Sequence, residues 1–238
     1  MKRHAIFIAV LFLFCVNAFA ADAPEMNEKD RISYSVGYQI GGDFKKQNVE
    51  LDPELLVKGI NDALAGTEPV MAQEDMRETL MELKRKIVAA QQKDMKEKSE
   101  KNLAEGKAFL AENGKKEGVV TLPSGLQYKV IKEGAGASPT PDDTVSVHYR
   151  GTLIDGTEFD NSYARNEPAV FKADRVIPGW KEALQMMKEG GKWQLFIPPD
   201  LAYGERQAGQ LIGPNSALLF EVELVSVKKA DGEQKSEK

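Results

Sequence analysis

This sequence carries almost none of the side chains that make and break covalent bonds. Its 238 residues include one cysteine, Cys15, and two histidines, His4 and His148. Cys15 and His4 both fall in an N-terminal stretch with the form of an export signal. Lys2 and Arg3 open it, Ala5 to Val16 is apolar, and Ala18-Phe-Ala20 offers a small-x-small cleavage site. The apolar run falls short of the ~20 residues that cross a bilayer, so residues 1–20 read as a cleaved signal peptide and no stable membrane span is expected. Lipidation of Cys15 is the lesser reading, because bulky Phe14 precedes it and apolar residues continue after it.

Once that signal is removed, the chain has no cysteine and keeps only His148. Disulfides are excluded, and stability in an oxidising compartment must come from packing. Serine- and cysteine-type triads lack their base or nucleophile, and a zinc site lacks most of its ligands. No metal and no cofactor is expected. Basic residues are in deficit too: 32 Lys and Arg against 37 Asp and Glu give a net charge of -5, which becomes -7 when Lys2 and Arg3 leave with the signal. No basic patch interrupts that balance, so no nucleic-acid partner is expected.

What is present divides the mature chain at changes of period. Residues 21–72 form a small helical module. Ile32, Val36, Ile40 and Phe44 recur every fourth residue, and beside them run Ser33, Gly37 and Gly41. That small-residue strip suits either a crowded contact within the chain or a close approach of a second subunit. A second helix is punctuated by Asp52 at its N-cap, Pro53 at its first position and Gly66 past its end. Its expected buried face is Leu56, Ile60, Ala63 and Leu64.

Proline is absent from Glu74 to Glu117, and this stretch reads as one long connecting helix within 73–117. Met76, Leu80, Leu83 and Ile87 follow the four-three-four rhythm of a helix seam. Between Gln91 and Asn102 the only apolar side chain is Met95, so this part has no face to bury and must bridge through solvent. The alternative for this charged middle is disorder. Pairs such as Glu82–Lys86, Asp94–Lys98 and Glu97–Lys101 would support it weakly. Gly106 is a weak point, and Asn113-Gly114 a stop or kink.

From Gly118 the period becomes alternating. Leu126, Tyr128 and Val130, then Val145, Val147 and Tyr149, then Trp193, Leu195 and Ile197, and last Leu218, Phe220, Val222 and Leu224 alternate with polar neighbours. Asp155-Gly156 marks a hairpin. One short helix, Trp180 to Lys188, has Trp180, Ala183, Leu184 and Met187 on one face. An α+β fold follows: an antiparallel sheet wrapped around one helix over residues 118–229, with a polar tail at 230–238.

Short clusters of aromatic and aliphatic residues punctuate that region: Val147-His-Tyr-Arg-Gly151, Phe159-Asp-Asn-Ser162, Val176-Ile-Pro-Gly-Trp180, Leu201-Ala-Tyr-Gly204 and Leu218-Leu-Phe-Glu-Val222. A site built from them has no nucleophile or metal, but it can bind an apolar group and strip it of water. In order and spacing the clusters resemble the FKBP-type peptidyl-prolyl cis–trans isomerases, over about Gly118 to Lys229. The resemblance implies a floor of Trp180 beneath a proline ring and walls of Tyr149, Phe159, Phe171, Val176 and Phe220. It also implies that the Ile177 N–H and the Tyr203 hydroxyl bond substrate carbonyls. Asp160 would orient Tyr149 and set a charge near the twisting carbonyl, with Arg165 paired to it. Read without the family, each of these aromatics is ordinary core packing, whereas a carboxylate such as Asp160 is hard to place in a core. Trp193, Tyr128 and Phe196 read as structural, and His148 should face away from Tyr149. Gln210-Leu211 stands where relatives often have Gly-Pro, which leaves the preference for the residue before proline open.

Ser33-Tyr-Ser-Val-Gly37, Gly59-Ile-Asn-Asp-Ala63 and Leu122-Pro-Ser-Gly-Leu-Gln-Tyr128 are similar to the macrophage infectivity potentiator family and its periplasmic FKBP relatives. The implication is a homodimer in the periplasm, or associated with the cell surface or outer membrane. Its partners would be unfolded or partly folded proline-containing polypeptides, and macrolide immunosuppressants would inhibit it. A rival of a different class is a non-enzymatic holdase. Met26, Met71, Met76, Met81 and Met95 all precede Gly118, and methionine suits promiscuous binding as well as a dimer core.

Overall fold

The computed structural model describes residues 26–230. The expected signal peptide and all but the first residue of the polar tail lie outside the described residues. The chain divides into two compact units, residues through 78 and residues from 79 onward.

The first unit holds α1 (Glu28–Lys46), α2 (Pro53–Ala65) and the opening turn of α3 (Gln73–Asn113). Both short helices start on caps legible in the sequence. Asn27 Oδ1 accepts the Asp30 N–H at 3.0 Å, and Asp52 Oδ1 accepts from Glu54 and Leu55 at 2.9 and 3.1 Å. Gly66 ends α2 in the left-handed conformation. The expected buried face of α2 is not buried within the chain: Leu56, Ile60 and Leu64 are 37, 44 and 82 % exposed. Ile32 and Val36 of α1 are exposed as well. Neither α1 nor α2 buries a residue within the chain, and the result is an apolar surface of the kind that marks an interaction site.

At ~1.5 Å per residue the 41 residues of α3 extend about 60 Å. The helix stops at Asn113, at the expected Asn113-Gly114 stop and before Glu117, and three-residue bonds tighten its last turn. Lys115 N–H bonds Glu112 O at 3.2 Å and Lys116 N–H bonds Asn113 O at 3.0 Å. Glu82–Lys86 closes at 2.8 Å as expected, while Glu97 pairs with Lys93 and Lys101 with Glu105. All are solvated and add little.

In the second unit a seven-stranded sheet is antiparallel throughout. Its strands are β1 (Val119–Thr121), β2 (Gln127–Lys132), β3 (Thr144–Leu153), β4 (Glu158–Asn161), β5 (Ala169–Lys172), β6 (Lys192–Ile197) and β7 (Leu218–Lys228). They run in the order β1-β2-β6-β7-β3-β4, and β5 pairs the first half of β3. The Asp155-Gly156 turn joins β3 to β4, with Asp155 Oδ1 accepting the Thr157 N–H at 2.9 Å. Alternation holds on β3, β6 and β7, where Val145, Val147 and Tyr149, Trp193, Leu195 and Ile197, and Leu218, Phe220, Val222 and Leu224 enter one core, while on β2 Tyr128 and Val130 are only partly buried and the alternation is weaker than expected. Against them lies α4 (Pro178–Met186), burying Trp180, Ala183 and Leu184, with Met187 just past its end. Tyr128 and Trp193 stack across β2 and β6 at 4.4 Å, a structural role as expected.

The second half of α3 docks onto this sheet unit. Gln127 Nε2 donates to Leu110 O at 2.8 Å, and its Oε1 accepts from Asn113 Nδ2 at 3.0 Å, so a strand residue caps the helix. Gly106 approaches the stretch before β7 so closely that a Cβ would lie 3.2 Å from that of Ala217. What looks like a weak point in the helix is a contact surface. The solvent bridge likewise ends sooner than expected. Residues 91–98 are exposed apart from half-buried Met95, but Ser99 and Asn102 already bond the sheet unit.

Candidate active site

Between α4, strands β3, β4, β5 and β7 and the loop before β7 lies an open cavity of about 790 Å³. Trp180 reaches it from the first turn of α4, which Pro178 and the carbonyl of Ile177 start. Its indole is 4 % exposed and lines the cavity from below. Tyr149 stands edge-on to it at 5.3 Å and 86°, Phe171 at 6.0 Å and 86°, and Phe220 at 5.2 Å and 81°. These edge-to-face contacts set positive ring edges against negative ring faces and hold the walls at fixed angles. The indole Nε1 is buried with no hydrogen-bond partner among the described residues.

Gly151 makes this arrangement possible. Any Cβ there would sit 2.5 Å from the Phe159 ring and 2.8 Å from that of Phe220, so only glycine lets the two rings meet at 5.5 Å.

Polar groups occupy one rim. The Tyr149 hydroxyl donates to Asp160 Oδ2 through a short bond. Arg165 Nη1 donates to Asp160 Oδ1 at 2.7 Å, its Nη2 donates to Tyr149 Oη at 3.1 Å, and the Asn161 N–H adds 2.8 Å to Oδ1. Partial burial alone pushes the Asp160 carboxyl up, but the hydrogen bonds from Arg165 and Tyr149 outweigh it and hold the group below its ordinary range. Burial, reinforced by Asp160, pushes the Tyr149 hydroxyl above its usual value.

Nine of the ten residues expected at the site line the cavity: Tyr149, Phe159, Asp160, Phe171, Val176, Ile177, Trp180, Tyr203 and Phe220. Arg165 does not; it stands behind Asp160 and Tyr149. Tyr203 is 43 % exposed and its hydroxyl has no protein partner among the described residues. The Ile177 N–H lies at the start of α4, where amides lack intrahelical acceptors. His148 faces away, bonding Ser162 Oγ at 3.1 Å and stacking on Tyr163 at 4.7 Å.

Gln210 and Leu211, noted in the sequence for the residue before proline, line the cavity, but Arg175, Ala208, Gly209 and Ile212 carried no cue that was read as part of the site. The Arg175 cue was its place directly before Val176-Ile177. Ile212, 7 % exposed in a loop of polar and small residues, offered no periodic cue.

The sequence matches two family models in tandem: a domain amino-terminal to FKBP-type peptidyl-prolyl isomerase over residues 29–130, and FKBP-type peptidyl-prolyl cis-trans isomerase over residues 136–225. It is 45% identical to an outer membrane protein MIP of Legionella longbeachae, across 97% of this chain and 100% of that one. It is also 45% identical to the peptidyl-prolyl cis-trans isomerase Mip of Coxiella burnetii, across 96% of this chain and 100% of the relative. Among solved structures, FkpA from Escherichia coli superposes with a TM-score of 0.68 at 40% identity, covering 86% of this chain and 98% of that one. With both models matched and full-length relatives at this identity, the chain belongs to the FKBP-type peptidyl-prolyl cis–trans isomerases.

Proposed function

We propose that the cavity takes the proline ring of an X-Pro segment onto Trp180 and speeds rotation of the preceding peptide bond. The observation that carries this reading is the cavity itself: open, walled by aromatic rings at fixed angles around Trp180, with Asp160 and Tyr203 also in its lining. Rotation about a peptide bond faces a barrier of ~18–20 kcal/mol, and uncatalysed X-Pro exchange takes tens to hundreds of seconds. The planar amide is stabilised by charge separation that twisting removes. An apolar enclosure therefore disfavours the planar form relative to the twisted one, and each ~1.4 kcal/mol of discrimination is worth tenfold in rate. In this reading Tyr203 Oη and the Ile177 N–H hold flanking carbonyls, Phe159, Phe171, Val176 and Phe220 exclude water, and Tyr149 and Arg165 fix the Asp160 charge beside the twisting carbonyl. A macrolide of the immunosuppressant class would compete for the same cavity.

The wider assignment follows the same reading. Residues 21–72 form a homodimerisation module, α3 connects it, and residues 118–229 carry catalysis on partly folded polypeptides in the periplasm. The exposed apolar residues of α1 and α2 support self-association. Two pockets on one dimer would raise apparent affinity for a long client through effective concentration.

The test is NMR exchange between the cis and trans forms of a proline peptide at catalytic protein concentration. Exchange no faster than without protein would end the isomerase reading and favour the holdase. A truncation separates isomerisation from suppression of client aggregation, and it should begin near Thr79, because Ser99 to Asn113 are bonded to the sheet unit.

A further inference from the structure

The loop from Gly204 to Asn215 supplies one wall of the cavity through Ala208, Gly209, Gln210, Leu211 and Ile212. Within the loop Gln207 Nε2 donates to Gly209 O at 3.1 Å and Ser216 Oγ to Gly213 O at 3.0 Å, and Ile212 packs into the core. Ala208 and Ile212 exchange backbone bonds at 2.9 and 3.3 Å, and Asn215 N–H closes the loop on Gly204 O at 2.7 Å. The C-terminal stem is held from outside, by α3. Asn102 Nδ2 donates to Pro214 O at 2.8 Å and approaches Ser216 Oγ at 3.3 Å. Asn215 Nδ2 donates to Ser99 Oγ at 2.8 Å. One turn on from Asn102, Gly106 abuts Ala217, where β7 begins.

We propose that Asn102 and Ser99 are positioning residues of the isomerase site. Through Pro214 and Asn215 they fix the wall from Ala208 to Ile212, and so set how the cavity's mouth fits the residue preceding proline. The inference rests on the isomerase reading and extends it to the long helix. Asn215 is the junction: its side chain bonds α3 while its own N–H bonds Gly204, the neighbour of Tyr203. With the proline ring on Trp180, the rim residues meet the flanking side chain. Leu211, 51 % exposed, gives the lining an apolar edge that a large apolar flanking residue would touch. A stem released from α3 lets this edge move, which weakens binding of that residue and leaves the floor and the Asp160 rim intact.

The experiment uses the full chain, peptides with Leu, Phe, Glu or Lys before proline, and the variants Asn102→Ala, Asn102→Asp and Ser99→Ala. Asn102→Asp keeps the shape and removes the donor. The expected result is a KM raised roughly three- to tenfold for the Leu and Phe peptides, the loss of a hydrogen bond or two. Expected too are kcat within about twofold, a smaller change for Glu and Lys, and shifted amide NMR signals for Gly209 and Ile212. Unchanged KM ratios across the four peptides in an active protein would overturn this inference alone. A wild-type chain with no activity would overturn the isomerase reading and this inference with it. Should Asn102→Ala fail to fold, Ser99→Ala decides on the same ratios.

Discussion

The Tyr149 hydroxyl gives its only proton to Asp160, so it cannot also donate to a bound peptide. Arg165 completes the arrangement by donating to both Asp160 and Tyr149, and its guanidinium lies 5.8 Å from the Tyr149 ring centre. Two tyrosines line the cavity, and they differ in what they can do. Tyr149 is a wall fastened to a carboxylate; Tyr203 carries the hydroxyl left for a ligand.

Tyr203→Phe should therefore lower kcat/KM for an X-Pro peptide by roughly three- to tenfold, the worth of one hydrogen bond, with no change in far-UV circular dichroism. An unchanged rate would remove the hydroxyl from the mechanism.

Asp160 should keep its charge through the ordinary carboxylate range. A carboxyl depressed in the folded state contributes stability that is full above the unfolded value of ~3.9 and is lost as pH falls through the folded value. Isomerisation is expected to stay flat from about pH 8 to about pH 5 and to decline only below about pH 4. Asp160→Asn should be slower at every pH and lack that decline. A wild-type midpoint near pH 6 would assign the titration to another group.

Trp180→Phe removes indole area and, with it, a buried N–H that has no partner among the described residues. The two effects oppose each other, since an orphaned donor costs about 1–3 kcal/mol and lost apolar packing is of similar size. A small change in the urea midpoint is expected together with a clear rise in KM. A large loss of stability with unchanged KM would make the indole a packing residue.

Gly151→Ala forces a methyl against Phe159 and Phe220. Overpacking of this kind costs about 1–3 kcal/mol. Thermal unfolding should shift down, and peptide affinity should fall because the two wall rings must part. Wild-type affinity in this variant would show that the Phe159–Phe220 contact is dispensable.

Much of this was legible in the residues. The caps Asp52 and Gly66, the alternation of Val145, Val147 and Tyr149, and the α4 face of Trp180, Ala183, Leu184 and Met187 are set by neighbours a few positions away. Period and capping report such local geometry directly. Ser99 and Asn102 were not legible. In the sequence they look like part of a solvated helix, yet Asn102 bonds a carbonyl 112 positions away. The same holds for Arg175 and Ile212, which reach the cavity along loops whose path no period records.

The amino-acid sequence alone determined what chemistry this protein lacks and which residues alternate into its core, because composition and period act without knowledge of distant partners. Only the tertiary structure decided that three rings stand edge-on to one indole, that Arg165 donates to both Asp160 and Tyr149 from behind the cavity, and that α3 grips the cavity wall. Those relations depend on angles and distances between segments far apart in the chain, and packing sets them once the strands have found their register.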